Sequence, residues 1–122
     1  MPDLNYTING QVTKGALSQS FAASGVTADM ATAGVLSVTL NLGTATVQIS
    51  TATLGSLGLA FARSLATTTT HTVSFGRLDG TNLYETVRLK AGEAAVLRLA
   101  AGDYAAKAAE ANTRLVLTVY ED

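Results

Sequence analysis

The side chains that could do chemistry are few. His71 is the only histidine of the 122 residues, so any imidazole mechanism must run through it. As a general base it would need a hydroxyl on one ring nitrogen and an orienting carboxylate on the other. Its immediate neighbours are threonines, no acid lies within a few positions, and it alternates with Val73 and Phe75. That is the pattern of a structural or exposed strand histidine. The carboxylates are Asp3, Asp29, Asp79, Glu85, Glu93, Asp103, Glu110, Glu121 and Asp122. Asp79 and Asp103 adjoin glycines, where aspartate serves turns through side-chain hydrogen bonds. Glu85 and Glu93 have core-like parity in adjacent segments, and two such groups are what glycoside hydrolysis would use. The commoner role for them is a strand-end position, or an ion pair with an arginine such as Arg63, Arg77 or Arg98. We expect no catalytic residues.

Ligand chemistry is equally thin. One histidine and no cysteine would leave carboxylates to complete a metal site, a poor set for zinc. No loop has the regular acidic spacing of a calcium site. The segments "GALSQS" and "GSLGLA" lack the Gly-Lys-Ser/Thr ending of a phosphate loop, and no three-glycine dinucleotide pattern follows a strand. Neither metal nor organic cofactor is expected. Tyr6, Tyr84, Tyr104 and Tyr120 could stack on rings, but there is no tryptophan, the usual sugar platform. Tyr84 and Tyr120 fall on the polar sides of their segments, which suggests a protein interface. Tyr84, Arg88, Tyr104 and Tyr120 are therefore the candidate interaction surface.

Composition narrows the class further. Net charge is −1, with lysine and arginine scattered, so the basic stripe that dominates nucleic-acid binding is missing. Charged residues make up 14%, against a usual figure of about 25%. Such a chain has little charge for a free surface, and we expect part of it to be covered by other copies or a partner. The N-terminal residues lack a basic region followed by an apolar run, so no secretory signal is read there. No run approaches the roughly 18 apolar residues of a membrane span. A soluble protein folding as one domain is the expectation.

The elements that must position these residues have a period of two. In "GVLSVTLNL", Leu36, Val38, Leu40 and Leu42 alternate with Ser37, Thr39 and Asn41, the mark of a half-buried strand. Val47 and Ile49 alternate with Gln48, and Gly43-Thr44 between the two runs suggests a hairpin. "HTVSF", "LYETVRLK" and "RLVLTVY" behave alike, the second setting Leu83, Glu85, Val87 and Leu89 against Tyr84, Thr86, Arg88 and Lys90. Glycine and Asp-Gly or Gly-Asp pairs separate them. About eight short strands at intervals of about 8–12 residues predict an all-β fold, an antiparallel sandwich or a jelly-roll-like barrel.

Three stretches are less direct. "KAGEAAVLRLAAGDYAAKAAE" is rich in helix formers, but a helix there would have to carry Gly102, at a cost of about 1 kcal/mol. A strand over Glu93–Ala100, a Gly-Asp turn and a second strand from Tyr104 fit better, with Ala105–Ala109 open to either state. In "GSLGLAFARSL" Leu57, Leu59 and Phe61 alternate, while Leu54, Leu57, Phe61 and Leu65 would line a helix; the two glycines favour a strand. Thr27 is placed to cap a short helical turn running toward Met30.

The stretch "SFGRLDGTNLYETVRLKAGEAAVLRL", then "AGDYAAKA", then an apolar strand closing on "VYED", resembles small virion structural proteins of tailed bacteriophages. The resemblance covers about Thr72 to Asp122, and alanine stands at 101 where the pattern would have proline. It implies a non-enzymatic particle component, a capsid decoration (cement) protein that binds the major capsid protein and itself, commonly as a trimer. Its place would be the virion, assembled in the host bacterial cytoplasm. The alternatives are a tail, neck or fibre component with a receptor-binding role, and a carbohydrate-binding β-sandwich.

Overall fold

A computed structural model describes residues 3–30, 33–51 and 54–121. Ten strands run through them, every paired ladder is antiparallel, and no helix occurs among the described residues. The chain divides into two compact units, Met1–Ala31 and Thr32–Asp122.

The first unit is a hairpin of β1 (Leu4–Lys14) and β2 (Leu17–Ala28). Gly15 in the connecting turn has φ 56°, a left-handed conformation that glycine adopts without a Cβ penalty. A bulge sets Tyr6 opposite Val26 but Ile8 opposite Ala23, and the Thr7 hydroxyl accepts the Gly25 N–H at 3.2 Å. The ladder sorts the ribbon into two faces. Leu4, Tyr6, Ile8 and Val12 share one, predominantly apolar, with Val26, Ala23, Phe21 and Leu17, and Gln19 opposite Val12 and Lys14 opposite Leu17 stand on it too. Asn5, Asn9, Gln11 and Thr13 share the other with Thr27, Ala22, Ser20 and Ser18. The Phe21 ring covers Gly10 on the apolar side, occupying the space where a Cβ would stand. The helical turn expected after Thr27 does not form: β2 continues through Ala28, and the Met30 N–H is taken by the Asp3 carboxylate at 2.9 Å.

The second unit is a sandwich of two four-stranded sheets. One has the order β3 (Val35–Leu42), β10 (Thr113–Glu121), β5 (Leu57–Ser64), β8 (Ala94–Arg98). The other has the order β4 (Val47–Ile49), β9 (Tyr104–Ala108), β6 (Val73–Asp79), β7 (Asn82–Leu89). The pairings nest: β3 with β10, β4 with β9, β5 with β8, β6 with β7. This is one long antiparallel ribbon rolled onto itself, the strand order of a jelly roll. Gly43-Thr44 therefore does not close a hairpin. It carries the chain from one sheet to the other, and the Gly43 carbonyl accepts the Ala108 N–H at 2.8 Å.

The core lies between the sheets. Leu42, Leu115, Leu117 and Val119 from one sheet pack with Ile49, Val73, Phe75, Leu89 and Tyr104 from the other. Phe75 and Tyr104 stack with ring centroids 5.7 Å apart. Alanine supplies the small partners that such bulk requires: Ala60 and Ala62 on β5, Ala106 and Ala108 on β9, all buried. That packing settles the open alanine stretch through Ala108: residues 104–108 are extended, and Ala106 and Ala108 fill the inter-sheet space despite poor intrinsic strand preference.

Candidate interaction surfaces

The would-be chemical residues are each absorbed locally. Thr113 is fully buried, and its hydroxyl donates to the Glu110 carbonyl at 2.8 Å. Its only proton being spent, that oxygen accepts from His71 Nδ1 at 2.9 Å, which assigns the Nδ1–H tautomer. No carboxylate hydrogen-bonds to the ring among the described contacts, so the geometry is that of a loop clasp. Glu93 closes its own turn: its carboxylate accepts the Lys90 N–H at 2.6 Å and its N–H reaches the Lys90 carbonyl at 3.0 Å. No group of three or more metal-ligating side chains occurs among the described residues. No helix among them is long and apolar enough to cross a membrane.

Glu85 departs from its expected parity. Phe75 pairs with Val87, but Gly76 pairs with Glu85, so a bulge at Thr86 turns the carboxylate to the outer face. Gly76 makes the bulge possible, since a Cβ there would collide with the Tyr84 carbonyl oxygen. On the outer face Glu85 meets Arg88 Nε at 2.6 Å and Nη2 at 3.2 Å, and Ser74 donates to it at 3.0 Å. The Arg88 hydrogen bond holds the Glu85 carboxyl below its usual range, with help from Ser74 and Lys107 and against partial burial. Glu85 thus takes the ion-pair role, with Arg88 as its arginine.

The four candidate interface residues do not converge. Tyr104 is a core residue, 9% exposed, stacked on Phe75 with its hydroxyl donating to the Ala100 carbonyl at 2.6 Å. Tyr84, 57% exposed, and Arg88 lie on β7, an edge strand of one sheet. Tyr120 lies on β10 in the middle of the other sheet, next to Val35.

Around Tyr120 is a surface that parity alone did not mark. On β5 the buried positions are the small ones, Ala60, Ala62 and Ser64. Leu59 and Phe61 consequently face outward, while Leu57, beyond a bulge opposite β10, turns back to the core. Register places Phe61 beside Val96 on β8 and Thr118 on β10, and Tyr120 beside Val35 on β3. Leu59, Phe61, Val96, Val116, Tyr120 and Val35 form an apolar strip reaching all four strands, interrupted by Thr118, whose hydroxyl hydrogen-bonds Ser37 at 3.2 Å; Val35 and Phe61 are exposed. Arg63, Arg98 and Arg114 stand on the same face, level with Ala94, Leu59 and Asn41 respectively. The strip is therefore rimmed by three cations in a chain of net charge −1. The corresponding face of the other sheet is polar, carrying Ser74, Glu85, Arg88 and Lys107.

At one end of the sandwich, a crevice beside the β6–β7 turn is lined by Arg77, Asp79, Tyr84 and Asp103. The Arg77 guanidinium lies against Gly102, 3.1 Å from where a Cβ would stand. No family model matches the chain, and neither a curated protein nor a solved structure is found to match it.

Proposed function

We propose that this chain is a non-enzymatic structural protein of a tailed-bacteriophage particle, a capsid decoration protein that binds the major capsid protein and other copies of itself, as a trimer. The observation that carries this reading is the apolar, arginine-rimmed outer face of the β3–β10–β5–β8 sheet. An apolar patch on a sheet's solvent side is the usual mark of a protein contact, and arginine is enriched where such contacts form. A shell stabiliser needs no reactive cluster; it needs complementary area repeated over many copies, each contact weak and the sum strong. The resemblance of Thr72–Asp122 to virion proteins supplies the kind of shell. Jelly rolls occur among viral structural proteins and among lectins, so the fold is compatible with the reading without selecting it.

The experiment is to add purified protein to heads that lack decoration. Co-sedimentation and a higher disruption temperature are expected, and Phe61→Lys should lose both. Protein that adsorbs to host cells and ignores the heads would refute the decoration role. That outcome would favour the receptor- or carbohydrate-binding reading, for which the Arg77–Asp79–Tyr84–Asp103 crevice is the relevant feature. Glycan binding abolished by Tyr84→Ala would then be expected.

A further inference from the structure

The β1–β2 hairpin has one apolar face and no second layer within its own unit. None of its described residues is buried, positions 11–22 are all exposed, and Val12, Leu17 and Phe21 are among the exposed large hydrophobics. A two-stranded ribbon is marginally stable by itself in water, and a sheet with an apolar face is stable when that face packs on another element.

The charges on the hairpin choose the occupant. The unit has three charged side chains, Lys14 at the turn and Asp3 and Asp29 at the open end. They are about 36 Å apart along the strand, from eleven steps of about 3.3 Å. We propose that a second copy of this chain supplies the missing layer, the two hairpins lying antiparallel, apolar face to apolar face, about a two-fold axis. Each Lys14 then meets the Asp3–Asp29 end of its partner. The parallel arrangement sets lysine on lysine and aspartates on aspartates, repulsive at both ends. A two-fold contact also uses one patch twice, so a single self-complementary surface suffices.

The ribbon is about 10 Å wide, giving roughly 350 Å² per partner in projection. Doubled, that is about 700 Å² in total, below the roughly 1,200 Å² at which stable specific interfaces begin, so the pairing is weak, reversible and concentration-dependent. It goes beyond the decoration reading and stands without it, because the face involved belongs to the other unit.

The test is sedimentation velocity on the full chain, from low micromolar to near-millimolar concentration. The wild type should shift reversibly toward pairs of whatever species prevails at the dilute end. Lys14→Glu should weaken the shift about tenfold, and Lys14→Glu with Asp29→Lys should restore it. Leu17→Glu puts a carboxylate opposite Lys14 within the hairpin, so it preserves the ribbon while removing the association. Added salt should weaken the wild-type shift. No concentration-dependent shift, or one unchanged by both Lys14→Glu and Leu17→Glu, overturns the proposal. Head binding by Lys14→Glu reports on the decoration reading separately: failure of one leaves the other standing.

Discussion

Adjacent residues on β5 allow a direct test of which face of the strand is inside. Phe61 is 37% exposed and Ala62 is 1% exposed. Replacing Phe61 by lysine removes a side chain of which roughly two thirds is covered. Full burial of such a side chain is worth about 1.5–3 kcal/mol, and the lysine stem re-covers part of the area. The expected loss is about 1–2 kcal/mol by this arithmetic, with the fold intact. Ala62→Lys forces a long cation into the space beneath Leu117, which it faces across the ladder. An unpaired buried charge costs several kcal/mol before the overpacking is counted, a large share of the roughly 5–15 kcal/mol that holds a domain together. Urea unfolding followed by circular dichroism measures both. We expect a modest fall in midpoint for Phe61→Lys and a largely unfolded Ala62→Lys. The opposite order would refute the inward assignment of the small residues, and with it the outer apolar strip.

Three further outcomes follow from the geometry. Gly76→Ala should destabilise by about 2–4 kcal/mol, read from urea midpoints, because its Cβ meets the Tyr84 carbonyl and approaches Thr86 N at 2.9 Å, and backbone atoms cannot rotate away. Tyr104→Phe keeps the stack on Phe75 and deletes the hydroxyl bond to Ala100, so a loss of about 1 kcal/mol is expected in the same assay. Glu85 has its folded-state pKa lowered, chiefly by Arg88. Its contribution is therefore full above the ordinary carboxylate pKa and is lost as pH falls through the depressed folded value. Glu85→Gln should flatten the acid limb of stability against pH, and an unchanged slope would remove Glu85 from that account.

The parity of β3 and β10 follows from the order of residues alone. Leu36, Val38, Leu40 and Leu42 and Leu115, Leu117 and Val119 point inward as their alternation requires, because Ser37, Thr39 and Asn41 on one strand and Arg114 and Thr118 on the other favour water. Glu85 departs from that rule because a bulge adds one residue and inverts parity beyond it. Phe61 lies outside the rule's reach because β5 has apolar residues on both sides, and alternation cannot say which set is inside. The packing decides that: Ala60 and Ala62 lie in the core cluster with Phe75, Tyr104 and Leu117, Ala62 opposite Leu117 in the ladder. The candidate surface was legible only at Tyr120. Its companions Leu59, Phe61, Val96 and Val35 come from separate segments of the chain that meet through register.

The amino-acid order by itself determined the secondary structure class, several of the strand breaks and the lack of a motif for catalysis. These are local properties, set by side-chain branching, by glycine's freedom and by the spacing of reactive groups. Tertiary structure decided the rest: the nested strand order, the crossing at Gly43-Thr44, the burial of Tyr104 and the face on which each apolar set lies. Those depend on which distant segments pair and on how much volume their side chains leave between the sheets, and neither quantity is written in any one stretch of the chain.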